Sequence, residues 1–202
     1  MQIGPNADQL ALRNSMRAVL AAECPLSLTR ASYTDSQAWH PLWHKAVELS
    51  WTWLARRGSD DDEDPGLGTL DLVLALEACG AVLAPLPLLS SVGLAAGALR
   101  AGGAALTEVL AEIADGHVAT LAVQPATQRL PGVCMSLRDG RVRGTAVAVP
   151  DVEHARLVVV LCDNGDTVSV AALRPGDGVL VEPADSADPS RQLATLIVDA
   201  PI

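Results

Sequence analysis

Phenylalanine is absent from these 202 residues, and tyrosine occurs once. A core must therefore be built from Leu, Val and Ala, with four Trp as its only large pieces. No basic run is longer than Arg56-Arg57, and the formal net charge is -10. Such a surface repels phosphate backbones and anionic lipid heads, which argues against nucleic-acid and membrane partners. Cys24, Cys79, Cys134 and Cys162 are too far apart in sequence for a CxxC pair or a metal knuckle. The opening MQIGPNADQL lacks the basic-then-apolar pattern of a secretory signal. Together these absences lead to the expectation of a cytoplasmic protein. No Gly-rich phosphate fingerprint follows any predicted strand. Residues 78–99 carry no charge, but Pro85, Pro87 and three glycines interrupt them. That predicts two buried helices joined by a Pro-rich turn rather than a membrane span.

What is present is apolar enough to fold: half of the residues are hydrophobic and 19% are charged. Asp8 is a candidate cap for a first helix striped by Leu12, Met16, Val19 and Leu20, which Pro25 ends. Trp39, Leu42, Trp43, Ala46 and Val47 stripe a second helix, and SWTWL (residues 50–54) continues it as a buried connection. Thr69 is a candidate cap for a third helix carrying Leu70, Val73, Leu74 and Glu77. Leu88, Val92, Ala96 and Leu99 stripe a fourth. Leu106, Val109, Leu110 and Ile113 stripe a fifth, which Gly116 ends. After Gly116 the period changes to two. HVATLAV, VCMSL, RVRGTAVAV, RLVVVLC, TVSVAAL, GVLVE and LATLIVD all read as strands, with hairpin signals at Asp139-Gly140 and Asn164-Gly165. The expected fold class is α+β: an all-α domain over residues 1–116, then an antiparallel β-barrel domain over residues 117–202.

Few patterns carry chemistry by themselves. His40, His44 and Glu48 share one helix face, a possible zinc triad, but Pro41 stands where a metalloprotease helix has its Glu. A solvated flank beside the Trp stripe is the favoured reading. The acidic run at residues 60–64 is consecutive, whereas calcium ligands alternate, so it reads as solvated. Ser90, Ser91, Cys79, His117 and His154 lack any nucleophile context and read as core, cap or surface. No metal site is expected.

The order of segments says more. AVELSWTWL, DPGLG, LALEACGAVLAPLPLLSS, EIADGHVATLAV, RVRGTAVAVPDVEHARLVVVLC and DPSRQLATLIVDAPI resemble, in sequence order, the N-terminal and middle domains of the acyl-CoA dehydrogenase family, in its divergent bacterial branch. The resemblance implies FAD, an acyl-CoA substrate and α,β-dehydrogenation in lipid or steroid catabolism, with electron-transfer flavoprotein as acceptor. It also implies a homo- or hetero-oligomer with an acyl-CoA dehydrogenase subunit. It places the flavin rim at Leu121, Val123, Gln124 and Thr127 on one segment and at Ala148, Val149 and Pro150 on another. There the sequence departs from the family: Val123-Gln124-Pro125 replaces Thr-Glu-Pro, no Gly-Ser-Asp follows, and Ala148 replaces a stacking aromatic. The family's catalytic carboxylate lies in a C-terminal helical domain outside the stretch that resembles it, so no catalytic residue is assigned. The expectation is an enzyme subunit inactive as this chain alone. The alternative is a non-catalytic assembly module on the same scaffold.

Overall fold

A reciprocal cap opens the first helix. In the computed structural model, which describes residues 4–56, 68–176 and 178–202, the Gln9 N–H donates to the Asn6 side chain at 2.8 Å. The Asn6 N–H donates back to Gln9 Oε1 at 3.0 Å. Asp8, the expected cap, sits instead in the first turn of α1 (Ala7–Glu23), where a negative charge favours the helix dipole. Met16 and Leu20 are fully buried, and Leu12 and Val19 pack against them. Pro25 is the N-cap of a short α2 (Leu26–Ala31) that periodicity did not reveal. In α3 (His40–Glu48), Pro41 occupies the first turn, where its missing N–H is harmless. Leu42, Trp43 and Ala46 are buried along that helix.

A 3-10 turn follows at Trp51–Arg56. Trp51 and Leu54 are buried as expected, but Trp53 is 52% exposed under the Arg56 guanidinium. The acidic run at residues 60–64 lies outside the described residues. In α4 (Thr69–Ala81) the cap is Gly68 rather than Thr69, and its N–H donates to Asp71 at 2.6 Å. A Pro85–Pro87 turn leads into a π-helical segment, Leu89–Ala95, that runs straight into α5 (Ala96–Ala101). Leu88, Val92, Ala96 and Leu99 are all buried, as their spacing predicts. The last α-helix among the described residues is α6 (Thr107–Ala114).

All seven predicted strands form: β1 (Ala119–Ala122), β2 (Met135–Arg138), β3 (Arg141–Pro150), β4 (Leu157–Asp163), β5 (Val168–Leu173), β6 (Val179–Pro183) and β7 (Leu193–Pro201). Both expected hairpins are present, β2–β3 through Asp139-Gly140 and β4–β5 through Asn164-Gly165. The antiparallel barrel is not. The strands form one open mixed sheet in the order β1-β4-β2-β3-β7-β6, with β5 also on β4. β1 and β2 run parallel to β4, one after the other along it. Among the described residues β5 and β6 do not pair with each other, so the ends stay apart. The physical reason for the misreading is that alternation fixes which face a side chain takes. It does not fix the direction of the partner strand. One apolar cluster runs through helices and sheet alike, from Met16 to Ala200.

Gly144 marks a tight crossing in the sheet. Its φ is +156°, and a Cβ there would stand 2.2 Å from the Cys134 carbonyl oxygen. Gly140 also has positive φ, but a Cβ there would meet nothing. Urea unfolding should therefore show G144A losing about 2 kcal/mol or more, and G140A no more than about 1 kcal/mol. Equal losses would show that backbone strain, not the close approach, governs both sites.

Candidate functional site

Two segments far apart in sequence meet at the rim of the sheet. The chain leaving β1 turns across β3: Pro125 bridges Ala146, and the Val147 N–H donates to the Gln124 carbonyl at 2.9 Å. Two residues before β1 ends, the Thr120 hydroxyl donates to the Pro150 carbonyl at 2.6 Å. Leu121, Val123 and Gln124 are thus brought beside Ala148, Val149 and Pro150. Thr127 lies farther out, exposed in the turn after Pro125.

Their side chains serve different ends. Val149 is buried in the core. Ala148 is exposed at φ +51°, inside a bulge where β3 slips register against β7 between Ala146 and Val149. The Gln124 amide folds back onto the Pro125 and Gln128 carbonyls. The Val123 carbonyl accepts from the Gly132 N–H at 2.6 Å. What the rim offers outward is backbone and small aliphatic groups.

Immediately beyond Pro150 the chain turns inward. Asp151 has φ +54°, a left-handed conformation that Asp tolerates better than most residues. Its N–H donates to the Gln192 carbonyl at 2.9 Å, and its own carbonyl accepts from the His154 N–H at 3.1 Å. So held, the carboxylate accepts from the Ser90 hydroxyl at 2.6 Å, across 61 residues of sequence. It forms part of the wall of a cleft of about 170 Å³ between the helices and the sheet. The apolar wall includes Leu76, Leu83, Leu86 and Leu89; Arg191, Gln192 and Asp188 complete it from the β6–β7 connection.

Burial pushes the Asp151 carboxyl above the usual Asp range, opposed by the Ser90 hydrogen bond and by the charges of Arg191 and His154. Burial likewise pushes the Cys79 thiol at the cleft wall up to about 12, so it stays a thiol. Behind the turn, His154 Nε2 lies 2.5 Å from Gln192 Oε1, and its ring meets Trp39 edge-on at 5.3 Å. His40 packs against the same two rings, while His44 and Glu48 are exposed. The helix-face triad is therefore not gathered into one site, and among the described residues no group of three ligating side chains stands together.

From sequence alone Ser90 and His154 read as core, cap or surface, and Asp151 carries no functional signal of its own. The pairing of Ser90 with Asp151 leaves no local pattern. The only local hint was an Asp following Pro at a strand end, an ordinary turn signal.

A layer of helices on this open mixed sheet is the fold of the acyl-CoA dehydrogenases. The chain superposes over its whole length on the ChsE4–ChsE5 complex from Mycobacterium tuberculosis, with TM-score 0.81 and 22% identity, covering 56% of that chain. A variant of the Tcur3481–Tcur3483 steroid ACAD matches 96% of this chain at TM-score 0.79 and 22% identity, over 55% of its own length. A glutaryl-CoA dehydrogenase from Mycobacterium smegmatis in complex with FADH2 matches at TM-score 0.72 and 12% identity, over 98% of this chain and 54% of its own. This chain thus spans little more than half the length of these solved relatives. No family model matches the sequence, and neither does any curated protein.

Asp151 generates a pH prediction. Its folded carboxyl holds a proton more tightly than the unfolded chain does. Stability therefore falls as pH rises through the ordinary Asp range to the raised value, and is flat above it. D151N lacks that ionisation. Over the same window its stability should gain on wild type by at most about 1.4 kcal/mol per pH unit. S90A removes the donor that favours the ionised form and should extend the window upward. Parallel urea curves for D151N and wild type from pH 4 to 8 would contradict the burial of this carboxyl.

Proposed function

We propose that this chain is a subunit of an acyl-CoA dehydrogenase-type enzyme that acts on an acyl-CoA thioester, and that a partner subunit supplies most of the flavin site. Residues 1–116 serve as the helical part and residues 117–202 as the β part. The observation that carries the reading is the match over 96% or more of this chain to the ChsE4–ChsE5 complex and the Tcur3481–Tcur3483 steroid ACAD, combined with a rim whose side chains do not fit a flavin.

The side chains present do not fit a flavin by themselves. Ala148 has no ring to stack on an isoalloxazine. Pro150 has no N–H, and its carbonyl is bonded by Thr120. The Gln124 amide is bound to its own loop, and Val149 is core. Backbone groups near Leu121, Val123 and Thr127 are what this rim contributes to a cofactor held mainly from outside. No step of the reaction is assigned to a residue of this chain. Its work is to shape one wall of a site and to exclude water from it.

The poverty of the rim also favours a second reading, a non-catalytic partner that keeps the scaffold only to assemble. One experiment separates the two. Co-expressed with the product of its neighbouring gene, the chain should purify as a yellow complex that oxidises an acyl-CoA with an artificial electron acceptor. A stable complex that is colourless and inactive would leave the assembly role and remove the enzymatic one.

A further inference from the structure

The cleft under Asp151 has a chemistry that the rim does not share. We propose that it binds a neutral, hydroxyl-bearing aliphatic group about the size of a six-membered ring, with the Asp151 carboxylate as hydrogen-bond acceptor.

Size comes first. The volume is about 170 Å³, close to that of protein cavities of about 150 Å³ that hold one benzene. The wall comes second. Leu76, Leu83, Leu86 and Leu89 present hydrocarbon. Leu83 is 58% exposed and Leu89 is 37% exposed, so the apolar surface is open to an occupant.

The polar end comes third. An ionised carboxylate has about four acceptor positions. Among the described residues, Ser90 is the one side chain that donates to Asp151. The Ser90 hydroxyl also sits 3.0 Å from the Pro87 carbonyl, a second acceptor for its one proton, and the shorter contact is the one to Asp151. Gln192 turns its side-chain oxygen to His154 rather than into the cleft. An occupant that brings a donor completes the Asp151 shell; one that brings only an acceptor leaves a buried acceptor facing another.

Charge decides which donor. Asp151 and Asp188 outweigh Arg191 along the wall, so a carboxylate is repelled. An ammonium group would give up its hydration to meet a carboxylate whose charge Arg191 and His154 already partly offset. A hydroxyl loses little hydration and satisfies the acceptor. The backbone of Asp151 is bonded on both sides and held at positive φ, so the acceptor is oriented before any ligand arrives. The proposal deepens the functional reading in one respect: an acyl group handled here would carry a hydroxyl on its distal part. It is tested without flavin, acyl-CoA or partner, so its failure leaves that reading standing.

The test is ligand-observed NMR titration of the full chain, at a pH on the flat limb of the stability profile where Asp151 is ionised, with cyclohexanol, cyclohexanone, cyclohexylammonium and cyclohexanecarboxylate. Cyclohexanol should bind saturably and roughly tenfold or more tighter than the ketone, the margin of a hydrogen bond to a charged acceptor. The carboxylate should bind weakest. In D151N, whose amide can both donate and accept, the preference for alcohol over ketone should fall to about twofold or less. Gly80 provides a control that leaves Asp151 untouched. It borders the cleft, and a Cβ built there meets nothing within 4 Å. G80L should fold normally, since Leu is the better helix former, and should abolish binding of alcohol and ketone together. Four results would overturn the proposal: no saturable binding of cyclohexanol, equal affinity for alcohol and ketone, tighter binding of cyclohexylammonium than of cyclohexanol, or binding unchanged in G80L.

Discussion

Ser90 and Ser91 are consecutive residues on a π-helical segment, and each holds a different part of the sheet. The Ser91 hydroxyl donates to the Ala119 carbonyl at 3.0 Å and accepts from the Ala119 N–H at 3.0 Å. That fixes the first residue of β1. The Ser90 hydroxyl bonds Asp151 at the β3–β4 turn. Both serines are buried, where an unpaired hydroxyl costs on the order of 1–3 kcal/mol. The helical layer and the sheet can therefore meet in one register only.

The same seam is closed from two other elements. Trp43 donates its indole N–H to the Gly116 carbonyl at 2.9 Å, and the Thr52 hydroxyl donates to the Ala114 carbonyl at 2.7 Å. Gly116 must be glycine here: its φ is +97°, and a Cβ would lie 2.6 Å from Val47. Buried carbonyls at the hand-over from helix to strand are thus satisfied by side chains from α3, the 3-10 turn and the π-helical segment. Exposed ion pairs such as Arg17–Glu77 and Arg174–Glu112 sit at the periphery and add little by comparison.

Periodicity revealed most of the helices and every strand, because burial on one face is written locally. Leu88, Val92, Ala96 and Leu99 could be placed on a buried face without any knowledge of what they touch. Caps were harder. Asn6 and Gly68 displaced Asp8 and Thr69 because the neighbouring Gln9 and Asp71 reach back to their N–H groups, and several polar residues competed for each role. The parallel placement of β1 and β2 on β4 was not legible, since it depends on where the chain returns after the β2–β3 hairpin. At the candidate site, the meeting of residues 121–127 with 148–150 came from a resemblance in segment order, not from any pattern in the residues. Asp151 and Ser90 escaped notice because the feature that makes them a pair is a contact between two layers.

The rim and the cleft join at one peptide, Pro150–Asp151, yet their side chains have gone different ways. At the rim, the hydrogen bonds that hold the frame run through backbone: Val147 to Gln124, Gly132 to Val123. Thr120 adds one side chain, directed at a backbone carbonyl. Backbone contacts survive almost any substitution, so the rim can keep its shape while Ala and Val stand where a cofactor would want a hydroxyl or a ring. In the cleft the decisive contacts are side chain to side chain, Ser90 to Asp151 and His154 to Gln192. Loss of Ser90 there leaves the carboxylate without its side-chain donor. The carboxylate at that seam ties the helical layer to the sheet through Ser90 and keeps acceptor positions free toward the cleft, where the proposed ligand would sit on the inner side of Pro150.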